Sequence, residues 1–252
     1  MIPVWAVSLK SRTDRRDLIS ANFKKLGIPF QFFDAIDGRE MPAAEVAAMS
    51  PRRFLAQSRE LTLTEVGCAA SFRALMGKIA NGPDEFVAIF EDDANPDPKI
   101  VGFLEPSNLR KLPGFDILHL DYRSSRKPAL LVAREGGENI FAPVKAGFGC
   151  AGLIVTREGA GKIFKGLVPL YAPLDDQIFR EARILNLAIL QITPGPVKTN
   201  GLPSSMVAQN IEPRNIRDLF WRRVSLVQRN IRSIIRFGQA WGWTNLCRLQ
   251  KR

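Results

Sequence analysis

The chain has 252 residues, 46% hydrophobic and 24% charged, which suits one large α/β domain with an appendage rather than two full domains. No apolar run reaches the ~18 residues of a spanning helix, and Met1-Ile2-Pro3-Val4 has no basic stretch before it, so neither a membrane span nor a secretory leader is expected and the chain reads as cytoplasmic. The net charge of +11 is local: ten Lys/Arg lie between Arg214 and Arg252 against the single acid Asp218, so the body carries only +2 and no nucleic-acid partner is expected.

Val4 to Leu9 suits a buried strand. Ser11 or Thr13 is expected to cap a helix running to Leu26, with Gly27 stopping it. Pro29–Phe33 reads as a second strand and Asp37-Gly38 as a turn. This strand–helix–strand opening builds a parallel sheet by right-handed crossover. Thr62-Leu63-Thr64-Glu65 is a capping box, and the helix behind it carries Val66, Ala69, Ala70, Leu75 and Ile79. Phe86–Phe90 is apolar without alternation, as a central strand covered on both faces would be, and it ends on Glu91-Asp92-Asp93. Ile117–Leu120 reads as a strand, and Ala129–Val132 with Ile140–Phe141 as a hairpin around Gly136-Gly137. A glycine-rich approach from Gly147 leads to a strand ending at Val155, then a helix from Arg157 to Leu167 and another from near Asp175. Pro194-Gly195-Pro196 breaks the pattern.

Beyond Pro213, Ile216, Phe220, Val224, Val227, Ile231, Ile234 and Ile235 recur at steps of three and four with arginines on the other faces, and Trp241, Trp243 and Leu246 extend the apolar side. This is a basic amphipathic helix, expected as a tail over 212–252 behind a domain over 1–211. It suits either an anionic membrane surface, met through residues 214–252, or packing against the domain.

Cys68, Cys150 and Cys247 are far apart and form no C-x-x-C pair, which argues against a zinc or disulfide framework. His119 is the one histidine, so a Ser-His-Asp triad or a two-histidine metal site has little to work with. Any metal should be a hard ion on oxygen ligands. Glu91, Asp92 and Asp93 crowd the end of a buried strand, where like charges repel and ligands of open α/β sheets bind. A divalent cation would offset that repulsion; the plain alternative is a solvated acidic turn. Arg12, Arg15 and Arg16 follow the first strand on the same edge, and guanidinium forks suit a diphosphate. Asp175-Asp176 is either a helix cap or the source of a general base for an acceptor hydroxyl, with His119 and Asp121 in reserve.

These residues have a family likeness. Val7-Ser8-Leu9 with Arg12 and Asp14-Arg15-Arg16, Phe32–Gly38, Leu61–Ser71, Ile89–Asp93, Gly152–Val155 with Gly159-Ala160, Pro173-x-Asp175 and Ser204-Ser205-Met206 occur in the order of glycosyltransferase family 25, which the chain resembles over roughly residues 2–210. These are lipopolysaccharide and lipooligosaccharide glycosyltransferases, related to collagen galactosyltransferases. The resemblance implies a GT-A-type, Rossmann-like mixed sheet flanked by helices, a UDP-sugar donor (galactose or glucose), Mn2+ or Mg2+, and inversion. It places Glu91 and Asp93 at the metal, Ser8, Leu9, Arg12, Arg15, Arg16 and Asp92 at the nucleotide, and Asp175 near the acceptor. One residue departs: the family's histidine after the helix-block serine is Phe72 here.

The expectation is therefore a metal-dependent hexosyltransferase acting on a lipid-linked saccharide, peripheral on the inner face of the cytoplasmic membrane. The competing reading is an inactive relative that binds a sugar nucleotide or a membrane surface.

Overall fold

The computed structural model describes residues 1–51, 60–121, 128–147, 149–180, 184, 186–200 and 216–251; at 180, 216–225, 250 and 251 it describes the backbone alone. Strand β1 (Val4–Ser8) is followed by α1 (Thr13–Lys25), β2 (Gln31–Asp34), α2 (Ala43–Met49), α3 (Leu63–Ala80) and β3 (Phe86–Glu91). Next come β4 (Ala94–Pro96), the one-turn helices α4 (Ile100–Phe103) and α5 (Pro106–Leu109), and β5 (Ile117–His119). The hairpin β6 (Pro128–Glu135) and β7 (Glu138–Pro143) leads to β8 (Gly152–Thr156) and α6 (Arg157–Gly166). β9 (Ile189–Thr193), β10 (Val197–Thr199), α7 (Ile216–Trp241) and β11 (Gln250–Lys251) complete the order.

Among the described residues, nine strands form one mixed sheet in the order β11-β6-β7-β9-β5-β8-β3-β1-β2. β1 runs parallel to both β2 and β3, so Ser8, Asp34 and Glu91 arrive at the same edge. Helices cover both faces, and β3 shows why its sequence lacks alternation. Phe86, Ala88 and Phe90 enter one core cluster with Ile19 and Phe23 of α1, while Val87 and Ile89 enter the other with Leu75 and Ile79 of α3.

α1 buries Arg15, Ile19 and Phe23 at four-residue spacing, and Gly27 follows it at φ 66°. Its start differs from the expectation: Arg12 is the N-cap, and no side chain caps the helix. α3 has the expected box, with Thr62 Oγ1 accepting from the Glu65 amide at 3.2 Å and Glu65 accepting from the Thr62 amide at 2.9 Å. The expected hairpin forms, with Gly136 and Gly137 at φ 57° and 80°, the backbone of a two-residue hairpin turn. The helix expected from near Asp175 is, over the described residues, a short irregular turn with a π-helical stretch at Asp176–Arg180.

Two features were not expected. β10 pairs antiparallel with β4 in a two-stranded ribbon, hidden in the sequence because its strands adjoin or contain prolines. α7 was expected as an apolar stripe with arginines on the other faces, but part of that stripe turns outward and an arginine turns inward. Ser233, Arg236 and Phe237 are buried against the domain, whereas Leu226, Val227, Ile231 and Ile234 are 41 to 55% exposed. Gln250–Lys251 then pairs with β6. The Ser204-Ser205-Met206 block, the 211/212 boundary, Arg214, and the side chains of Ile216, Arg217, Phe220, Arg222, Arg223 and Val224 lie outside the described residues.

Candidate functional site

The cleft is built from the carboxyl ends of β1 and β3. The acidic triplet divides there. Asp92 turns inward, where its Oδ2 accepts from Ser8 Oγ at 2.7 Å and its Oδ1 from Arg15 Nη1 at 2.7 Å. Arg15 is 6% exposed and Asp92 9%, so this is a buried ion pair tying the end of β3 to α1. Glu91 and Asp93 are left for the cleft. Burial, then the neighbouring Asp93, Asp121, Asp175 and Asp92 charges, pushes the Glu91 carboxyl well above the usual carboxylate range. Burial also raises Asp93, against the opposing pull of Arg15, whose Nη1 is 3.9 Å from its Oδ2. Asp93 Oδ1 is buried with no hydrogen-bond partner among the described residues.

The glycine-rich approach to β8 reaches the cleft at Cys150, and behind it stands a second group of acids. Gly149 sits at φ 103°, and its amide donates to Asp175 Oδ2 at 3.1 Å. A Cβ there would fall 2.3 Å from Asp121 Oδ2, so glycine is needed for the backbone angle and for room. Asp121 Oδ1 accepts from the Gly152 amide at 2.9 Å, and His119 Nε2 donates to the Gly149 carbonyl at 2.9 Å. Asp175 is raised by burial and then by Asp176, whose amide donates to Asp175 Oδ1 at 2.9 Å. Asp121, held in reserve in the sequence, is thus one of the charges felt by Glu91.

At the ends of β1 and β3 lies a cavity of about 370 Å³ lined by Ser8, Leu9, Arg12, Arg15, Glu91, Asp92 and Asp93 among others. Arg16 is not part of the lining. Its guanidinium donates to Asp34 Oδ1 at 2.6 Å and to the carbonyls of Ser8 and Leu9, and it lies 4.5 Å over Phe32. Arg12 lines the cavity but is forked onto Asp14 at 2.9 and 2.8 Å. Asp175 and Asp176 lie outside the lining, beyond Leu174, which is in it. Phe72 lines the cavity from α3 and is 4% exposed, so the departure from the family pattern falls inside the site.

Sequence reasoning missed Asn200. β10 brings it to the triplet, its backbone amide donates to the Asp93 carbonyl at 2.9 Å, and its Nδ2 is buried with no partner among the described residues. The ribbon that places it had no periodicity to betray it.

Among the described residues, no group of three or more His, Cys, Asp or Glu side chains is arranged to hold a metal by itself. Magnesium and manganese do not require one, since they take one or two carboxylates and complete octahedral coordination with phosphate and water. The unpartnered Asp93 oxygen beside a Glu91 that resists ionisation fits such a partial ligand set.

An open α/β sheet with an acid-lined cleft at the carboxyl ends of parallel strands is the class of protein that binds ligands at that edge. The model of glycosyltransferase family 25, described as LPS biosynthesis protein, matches residues 1–178, and the chain belongs to that family. It is 28% identical over 212 residues to a putative glycosyltransferase of Haemophilus influenzae, covering 76% of this chain and 68% of that one. It is 26% identical over 174 residues to a glycosyltransferase 25 family member of Anopheles gambiae, covering 64% of this chain but only 28% of that protein. The lacto-N-neotetraose biosynthesis glycosyltransferase LgtE of Neisseria meningitidis is 38% identical over 89 residues, 34% of this chain and 30% of that one. The inositol-1-phosphate CTP transferase from T. maritima superposes at TM-score 0.45 and 12% identity over 91% of this chain and 96% of that one, too distant to bear on function.

Proposed function

We propose that the chain is a glycosyltransferase of lipopolysaccharide-type glycan synthesis that moves a hexose, galactose or glucose, from a UDP-sugar to a lipid-linked saccharide with inversion. One observation supports it above the rest: an unpartnered Asp93 oxygen and a Glu91 with a strongly raised pKa stand beside the cavity at the family's Glu-Asp-Asp block. In this reading Glu91 and Asp93 hold Mn2+ or Mg2+, which supplies neutralisation of charge on the departing diphosphate. Ser8, Leu9 and Arg12 face the nucleotide, and Arg15 acts through Asp92 by holding the triplet's backbone in place. Asp175, more than Asp176, suits the acceptor base, because its raised pKa brings it toward working pH and the Gly149 amide orients its carboxylate.

The acceptor's lipid gives α7 a use. Its exposed Val227, Ile231 and Ile234 form an outward stripe on a segment of +9 charge, the combination that binds an anionic bilayer. No described helix is long and apolar enough to cross a membrane.

The test is a thermal melt with UDP, with and without Mn2+, on wild type and Asp93→Asn, paired with UDP-sugar turnover. Wild type is expected to rise in Tm only when metal and UDP are both present, and Asp93→Asn to lose both that rise and turnover at least a hundredfold. An Asp93→Asn protein with wild-type turnover would remove the metal assignment. UDP binding without turnover on any sugar would favour the inactive relative.

A further inference from the structure

Arg236 stands apart from the other arginines of α7. It is 2% exposed, and its described hydrogen bonds run to backbone carbonyls alone: Nη1 donates to Ile178 O at 3.2 Å and Nη2 to Val144 O at 3.3 Å. Among the described ion pairs none includes it, and burial lowers its pKa to about 10, leaving it charged at neutral pH. A buried guanidinium without a carboxylate is costly, and a leucine or methionine would pack a helix onto a domain at less expense. What the arginine adds is a planar fork that reaches two carbonyls at once.

Those two carbonyls belong to the two segments that meet at Asp175. Ile178 lies three residues after Asp175 in the π-helical turn Asp176–Arg180, and such irregular turns depart from the regular α-helical hydrogen-bond ladder. Val144 follows β7 and starts the stretch that ends at Gly149, whose amide donates to Asp175 Oδ2. α7 grips that stretch a second time through Asn230, whose Oδ1 accepts from Lys145 Nζ. One guanidinium therefore ties the chain on which Asp175 is carried to the chain that orients its carboxylate.

We propose that Arg236 is a positioning residue for the reaction, setting Asp175 toward the Glu91–Asp93 end of the cleft from behind. The proposal rests on reading Asp175 as the acceptor base. It makes α7 a support behind the active site, so that the helix offered to the membrane on one face holds the acceptor side of the cleft through the other. Displacing a base by even an ångström costs turnover without touching donor binding, since the nucleotide pocket stands on β1, β3 and α1.

Arg236→Met keeps the packing volume and Arg236→Lys keeps the charge but reaches as a single point. Each is compared with wild type for kcat, KM of the acceptor, UDP affinity with Mn2+ and the pH–rate profile. Loss of at least tenfold in kcat for Arg236→Met is expected, with partial rescue in Arg236→Lys, UDP affinity within twofold of wild type, and a displaced acid limb of the pH profile. Added to Asp175→Asn, Arg236→Met should cost nothing further, because the two act as one unit. Wild-type kcat and pH profile in Arg236→Met would overturn the proposal, as would a parallel fall in UDP affinity, an additive double variant, or failure of both Arg236 variants to fold. Full activity of Asp175→Asn would overturn it too, and would separately remove the base assignment while leaving the metal and donor reading to its own test.

Discussion

At the scale of single residues, the site is governed by how three adjacent carboxylates divide their tasks. β3 ends at Glu91, and the turn at Asp92-Asp93 brings Asp92 to Ser8 and Arg15 while Asp93 Oδ1 stays apart from them. Asp92 finds Ser8 and Arg15, and becomes part of the framework. Burial and the charges of Asp93, Asp121, Asp175 and Asp92 act on Glu91, so the folded state holds its proton more tightly than the unfolded chain does. The sign follows: a carboxyl raised above its unfolded value makes the fold less stable as pH climbs from the ordinary glutamate range toward the raised value. Glu91→Gln should therefore melt higher than wild type at pH 8 without divalent metal, by about 1 kcal/mol or ~2–4 °C, and match it near pH 4. The same variant should lose the Mn2+-dependent rise in Tm. Melting curves at several pH values, with and without Mn2+, measure this; parallel pH dependence in the two proteins would show that Glu91 is not the strained group.

At the scale of elements, α3 forms the floor of the cavity, and its entry is doubly specified. The Thr62–Glu65 box satisfies two amides at the helix start, and Ser71 Oγ donates to the Gly67 carbonyl while accepting from the Ile36 amide at 2.7 Å. The loop after β2 comes so close that a Cβ on Gly67 would lie 2.4 Å from the Gly38 nitrogen, which explains a glycine inside a helix where it otherwise lowers stability. Thr62→Ala is expected to cost about 1 kcal/mol of stability in denaturant unfolding. It should leave UDP affinity largely intact, since packing of Val66, Leu75 and Ile79 still anchors the helix.

At the scale of the whole molecule, charge and apolar exposure are both concentrated at the C-terminal end. The body is close to neutral, so the end bearing +9 would orient the molecule on an anionic surface at about 1 kcal/mol per basic residue near the lipid. The exposed stripe of α7 would provide the apolar half of such a contact. Ile231→Glu/Ile234→Glu is expected to reduce co-sedimentation with phosphatidylserine-containing vesicles at least tenfold while leaving the melting temperature within ~2 °C of wild type, because Ile231 and Ile234 are already 50% and 41% exposed. Unchanged sedimentation would assign that face to something other than lipid.

The sequence by itself determined what depends on neighbours along the chain. Period and punctuation marked β1, α1, β2, α3, β3 and the β6–β7 hairpin, the capping box read directly as Thr62-x-x-Glu65, and the position of Glu91-Asp92-Asp93 after a run buried on both faces marked the edge of the sheet where the cleft opens. Only the tertiary structure decided what depends on residues far apart. It paired Arg15 with Asp92 across 77 positions, turned Arg16 away to Asp34, brought Asn200 to Asp93 through a ribbon of proline-flanked strands, and set Gly149 between Asp121 and Asp175. It also chose which side of α7 faces inward. Helical periodicity defines an apolar face, but whether that face meets the domain or the solvent is settled by the shape and polar groups of what it packs against, here two backbone carbonyls that accept from Arg236.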